Sequence, residues 1–144
     1  CPFAAHIRKT NPRSDLEAFG GTAVRRIIRR GISFGPELSR KEKETRMSSE
    51  DKECERGLLF ACYQSNLGNG FHFMQKDWAN AADFPPKSNE KPSVPLPGID
   101  PIIGVSGPGA ARSMVGASPS VDDANKTLDF MAKWVIPRGG EYFF

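Results

Sequence analysis

Residues 1–13 read CPFAAHIRKTNPR. His6 stands two positions before Arg8, and Arg13 follows directly after Asn11-Pro12. A neutral imidazole can bind a metal through one ring nitrogen. Guanidinium groups hold carboxylates or phosphates by paired hydrogen bonds. One imidazole with two guanidiniums nearby therefore suits a cofactor that brings both a metal and carboxylates, and haem is such a cofactor. The plain alternative is a surface histidine beside two solvated arginines. Spacing alone does not separate the two.

Composition narrows the classes. A chain of 144 residues is one domain's worth and buries a modest core. No apolar run approaches the ~20 residues of a membrane helix, so no membrane partner is expected. Net charge is +3, unevenly spread: residues 1–46 carry +6 and residues 47–144 carry −3. The basic run VRRIIRR (residues 24–30) has no interleaved aromatics of the kind a single-strand nucleic-acid binder uses. Its arginines alternate with Ile27 and Ile28 as in a half-buried strand. Nucleic acid is therefore not expected as a partner. Cys1, Cys54 and Cys62 form no CxxC pair, which argues against zinc. Cys62, inside LLFACY, reads as a buried thiol. The start at Cys1 and the end within EYFF read as those of the C-terminal part of a larger protein.

The pattern along the chain gives a coarse architecture. Ser14 or Asp15 is placed to cap a short turn into LEAF, broken by Gly20-Gly21. Residues 24–32 have strand length, ended by Gly35-Pro36. Residues 38–56 are densely charged with mixed signs and read as a solvated loop or frayed helix. Residues 57–63, GLLFACY, read as a central strand. Leu67, Phe71, Met74 and Trp78 share one face of a helix over residues 66–78, with Gly68 and Gly70 weakening it. Residues 84–98 hold five prolines and form an extended connector. IDPIIG is a short strand or turn, and GVSGPGAARS (residues 104–113) a loop that matches no phosphate-binding glycine motif. Ser120 with Asp123 resembles a capping box before a helix through Thr127–Val135, with Leu128, Met131 and Val135 on one face. EYFF is a final strand. Tyr63 and Trp134 are assigned to the core, and His72 to a structural role. The sum is an α+β domain with an antiparallel sheet over residues 1–144.

Three long segments change the weight of these readings. CPFAAHIRKTNPR, AVRRIIRRGISFGPE (residues 23–37) and RGLLFACYQSNLGNGFHFMQKDWAN (residues 56–80) occur in that order. Together they resemble the dye-decolorizing peroxidases, in the fungal, secreted branch, and the resemblance runs on to the terminal GGEYFF. It implies a ferredoxin-like antiparallel sheet with peripheral helices, the C-terminal half of a protein in which two sheets sandwich haem b. It also implies secretion, hydrogen peroxide as oxidant, bulky aromatic donors, and the N-terminal part of the same protein as partner. The rival reading is a haem-binding module without turnover.

The resemblance makes His6 the proximal iron ligand. Such a histidine usually donates its other N–H to an acceptor. Asp100 in GIDPIIG is the candidate, although an Asp before Pro101 also forms turns unaided. Arg8 and Arg13 are implied to bind the haem propionates, and Arg29 to be the distal arginine. A fixed guanidinium above the iron stabilises negative charge on the departing oxygen. Leu58 and Phe60, on one face of a strand, match residues lining the distal pocket, though core packing explains them almost as well. Trp78 is implied to be a surface oxidation site, since bulky dyes cannot reach a buried haem; the competing reading is a core anchor. Phe34 stands where the family has a tyrosine, which removes that second route. The GxxDG motif that carries the family's proton-shuttling Asp is not in this sequence. The resemblance thus implies that the chain alone is inactive.

Overall fold

The computed structural model describes residues 4–86, 96–107, 112–115, 126–130 and 133–144. Its elements run α1 (His6–Thr10), β1 (Ile28–Arg29), β2 (Ile32–Phe34), α2 (Arg40–Thr45), β3 (Gly57–Leu59), β4 (Cys62–Tyr63), α3 (Phe71–Phe73), β5 (Arg112–Val115) and β6 (Thr127–Phe130). Tight 3-10 turns cover Arg13–Phe19, Ala23–Arg25 and Lys52–Cys54, and α3 widens into a π-helical turn at Met74–Ala79. Among the described residues, no helix is long and apolar enough to cross a membrane. The residues cluster into two units: one of Cys1–Arg26 with Ser65–Phe144, the other of Ile27–Gln64.

The smaller unit is an antiparallel ribbon. β1 pairs with β4 and β2 with β3, in a register that runs unchanged from Ile28–Tyr63 to Phe34–Gly57. The expected strand over residues 24–32 is thus shifted and broken. Val24 and Arg25 lie in a 3-10 turn, and the ladder lapses around Gly31 and Phe60-Ala61. Arg30 N still donates to Ala61 O at 2.8 Å within the gap. The strand expected at residues 57–63 forms as β3 and β4, but it is not central. Leu58, Leu59, Phe60 and Tyr63 are all exposed, which takes Tyr63 out of the core. Cys62 is half-buried, and burial pushes its thiol pKa up. Gly35 ends β2 at φ +97°, where a Cβ would meet Glu55 O at 2.4 Å. Both facts require glycine there.

Residues 38–56 are more ordered than their charge suggested. Ser39 and Glu42 form a capping box on α2: Glu42 N donates to Ser39 Oγ (3.2 Å) and Ser39 N to Glu42 Oε2 (2.8 Å). The buried Glu42 carboxylate also accepts from Ser49 N at 2.8 Å and from the Arg56 fork at 2.9 and 3.1 Å. This closes the long connection between the two sides of the ribbon.

In the larger unit, the helix expected over residues 66–78 starts only at Phe71. Residues 67–70 form a turn that spends Gly68 and Gly70. Met74 and Trp78 are buried as their spacing foretold. A helix over Thr127–Val135 is not found. Thr127–Phe130 is β6, paired antiparallel with β5 from Arg112–Phe130 to Val115–Thr127. Arg112 and Ser113 therefore leave the expected loop and join a strand. Phe130 packs on the small core of Ala4, Ala5 and Met114. Strand pairing and that contact outweigh the three-residue helical spacing. Val135, Trp134 and EYFF lie exposed with no strand assigned, so neither the final strand nor a core Trp134 forms. Ser120, Asp123 and Met131 lie outside the described residues. The connector at residues 84–86 and 96–98 is irregular, as its prolines require.

Candidate functional site

The site is built on α1 and on the turn at Pro101–Ile103. α1 opens on His6, whose Nδ1 lies 2.8 Å from Asp100 Oδ2. The turn aims that oxygen. Asp100 Oδ1 accepts Ile102 N at 2.8 Å and Ile103 N at 2.9 Å, leaving Oδ2 for the imidazole. Asp100 N donates to Ala79 O at 2.7 Å, and Gly104 N closes the turn on Asp100 O at 2.9 Å. A Cβ at Gly104 would meet Asp100 O at 2.4 Å, so no other residue closes the turn this tightly. Side chains take up the remaining carbonyls. Buried Arg112 donates to Pro101 O (3.2 Å) and Gly104 O (2.9 Å), and Gln75 Nε2 to Ile103 O (3.0 Å).

Asp100 is fully buried, whereas the His6 side chain is 42% exposed. Burial alone would push the Asp100 carboxyl up. The His6 hydrogen bond, the Ile103 amide, the His6 charge and the Ile102 amide together outweigh it and hold the carboxyl below its ordinary value. An ionised carboxylate only accepts, so Nδ1 carries a proton, and in the neutral imidazole Nε2 is then the nitrogen with the free lone pair. Among the described residues Nε2 has no hydrogen-bond partner, and no group of three or more His, Cys, Asp or Glu is placed to hold a metal ion. His6 is thus suited to be a single axial ligand. A metal that arrives with most of its own ligands, as haem iron does, fits this donor set.

The Arg8 fork is engaged by Asp15, Nε to Oδ2 at 3.1 Å and Nη2 to Oδ1 at 2.5 Å. Arg8, expected to bind a haem propionate, thus already meets one carboxylate through Nε and Nη2. Arg13 is exposed at a left-handed φ of +48°, just after Pro12. Arg29, Leu58 and Phe60 belong to the smaller unit and are exposed there. Phe60 falls in the break between β3 and β4 and not on a continuous strand face.

Trp78 is not at the surface. It is 4% exposed, stacked on Phe84 (5.1 Å between centroids, 4° between planes) and edge-on to Phe73 at 5.6 Å. It also lines an open groove of about 540 Å³ shared with Phe19, Val24, Arg25, Phe73 and Phe84. The Arg25 guanidinium lies 3.4 Å from the Phe73 ring centroid.

Lys9 belongs to the same site although no sequence motif marks it. Its side chain is fully buried, and its ammonium donates to Ala81 O and Gly98 O, each at 2.7 Å, and to Phe84 O. Burial lowers its pKa to about 8, with the charges of Asp100 and Asp83 pulling it back up. The available signal was its place three residues after His6, on the same helix face. Arg112, which follows a glycine-rich stretch that matches no motif, had no comparable signal.

Residues 1–86 match the family model for the C-terminal part of Dyp-type peroxidases. The chain belongs to the dye-decolorizing peroxidase family. It is 43% identical to peroxidase 2 of Mycetinis scorodonius, an alignment that covers the whole chain and 28% of that protein. Among solved structures, an ancestral D-type dye-decolorizing peroxidase superposes with a TM-score of 0.77 at 51% identity, over 96% of this chain and 29% of that one. A dye-decolorizing peroxidase in complex with 2,6-dimethoxyphenol gives a TM-score of 0.72 at 43% identity, over 96% of this chain and 28% of that one. The fold is accordingly α+β of the ferredoxin-like type, with small antiparallel pairings and few helices. The chain spans well under a third of the length of these dye-decolorizing peroxidases.

Proposed function

We propose that this chain supplies the axial-ligand part of a haem b peroxidase, completed by the N-terminal part of the same protein. The observation that carries the reading is the His6–Asp100 pair, in which a buried carboxylate holds Nδ1 and Nε2 is left without a partner among the described residues. Haem, when bound, supplies the two-electron reduction of hydrogen peroxide and the one-electron oxidations of donors that follow.

The chain's own residues prepare that chemistry. Asp100 orients the imidazole and raises its basicity through Nδ1. Arg13 offers an exposed guanidinium to a cofactor carboxylate. Arg29 would hold a permanent charge where negative charge develops on the departing peroxide oxygen. Leu58 and Phe60 would exclude water around it. Trp78 would pass an electron from a donor docked in the groove at its edge. The proton moved between the two peroxide oxygens is assigned to an acidic residue of the N-terminal part. Phenolic donors are supported by the related structure that holds 2,6-dimethoxyphenol.

The test uses the full-length protein titrated with haem, then given peroxide with an anthraquinone dye and with 2,6-dimethoxyphenol. Haem binding with peroxide-dependent loss of both donors is expected. Haem binding without turnover would leave a haem-binding module in its place.

A further inference from the structure

α1 is too short to hold itself. Five residues make less than two turns, and isolated helices of that length do not persist in water. Whatever fixes α1 also fixes His6. His6 and Lys9 are three residues apart and project from one face of the helix. Both meet the same wall, in which Gly98 N donates to Ala82 O (2.8 Å) and Asp100 N to Ala79 O (2.7 Å). His6 reaches Asp100, and Lys9 reaches Gly98 two residues earlier.

The ammonium has three protons, and three backbone carbonyls take them: Ala81, Phe84 and Gly98. No carboxylate touches it among the described residues, and the Phe84 ring lies 5.9 Å away. A buried cation satisfied only by carbonyls of two separate segments is costly to bury and costly to remove. Its arrangement ties three pieces of chain together at one point, and the His6–Asp100 contact lies on the same face of α1.

We propose that Lys9 is a positioning residue for the axial-ligand pair: its ammonium pins α1 to the carbonyls of Ala81, Phe84 and Gly98 so that His6 Nδ1 meets Asp100 Oδ2. The proposal rests on the reading of His6 as iron ligand. Lys9 touches neither haem nor substrate and acts through the register of the helix.

The experiment compares wild type, Lys9→Met, Asp100→Asn and the double variant, each as full-length haem-loaded protein. The readouts are the iron–histidine stretching band of the ferrous form, the ferric/ferrous midpoint potential and the haem dissociation constant. Lys9→Met should lower the band and raise the potential in the direction of Asp100→Asn, and weaken haem retention by about 10-fold or more. In the Asp100→Asn background, Lys9→Met should add nothing further to band or potential. A wild-type band and potential in Lys9→Met, with only the melting temperature reduced, would overturn the proposal, as would full additivity. Should Lys9→Met not fold, Lys9→Gln replaces it, with a band displaced toward that of Asp100→Asn expected and a wild-type band contrary. A wild type lacking any iron–histidine band would instead overturn the ligand reading, and the proposal with it.

Discussion

The Nδ1 of His6 and the Oδ2 of Asp100 meet at 2.8 Å although 94 residues of chain separate them. One partner opens a short helix, and the other sits in a turn whose amides have claimed its second oxygen. The carboxylate is thereby left one direction in which to accept. Among the described residues Nε2 has no hydrogen-bond partner, and this division of the imidazole between a buried acceptor and an unengaged nitrogen is what an axial ligand needs.

Arg29→Leu should slow the reaction with peroxide by something on the order of 10²-fold, the size of losing one preorganised charge stabiliser. Stopped-flow mixing of the haem-loaded full-length protein with peroxide measures that rate. A wild-type rate in Arg29→Leu, with a slow one in Arg30→Leu, would move the role to the neighbouring arginine.

Trp78 holds two jobs that one pair of measurements separates. Its ring is packed between Phe73 and Phe84, so Trp78→Phe should cost about 1–2 kcal/mol of stability, less than the ~3–5 of truncation to Ala. As a relay at the groove edge it should also matter more for bulky donors. Turnover of an anthraquinone dye should fall further than turnover of a small phenol on the same preparation. Equal losses with both donors would leave Trp78 a packing residue alone.

Glu42 should make stability depend on acid. The Arg56 fork, the Ser49 and Ser39 amides and the Ser39 hydroxyl hold its carboxyl well below the usual carboxylate range, against the opposing effect of burial. A depressed folded pKa contributes stability above the unfolded value, about 4.3, and loses it as pH falls toward the folded one. Glu42→Gln should therefore be less stable than wild type near neutral pH, and the gap should narrow below about pH 4. Urea unfolding of both proteins across that range checks this. A gap that stays constant with pH would show that Glu42 is not ionised in the pair.

How far the sequence foretells this structure varies element by element, for physical reasons. The His6–Asp100 pair is legible because a ligating imidazole needs an acceptor and an Asp between Ile99 and Pro101 is fit for a turn. Both sides of the ribbon are legible from apolar alternation, but their break near Gly31 is set by pairing across the ladder. Leu128, Met131 and Val135 suit a helix by spacing. The partner Arg112–Val115, which no local pattern reveals, makes the first of them part of a strand. The capping box at Ser39 and Glu42 was readable as S-x-x-E and was hidden only by the surrounding charge. Met74 and Trp78 at i and i+4 foretell a buried tryptophan more reliably than its chemistry foretells a surface one. Lys9 goes unread because a lysine is expected in water, and only the folded chain brings three carbonyls to it.

The central claim is that His6 binds the iron. The most direct measurement is the Soret spectrum of full-length protein during haem titration, for wild type and for His6→Ala. The account predicts a histidine-ligated spectrum in the wild type, and in His6→Ala a loss of that ligation together with loss of peroxidase activity. An unchanged Soret band and unchanged activity in His6→Ala would contradict it.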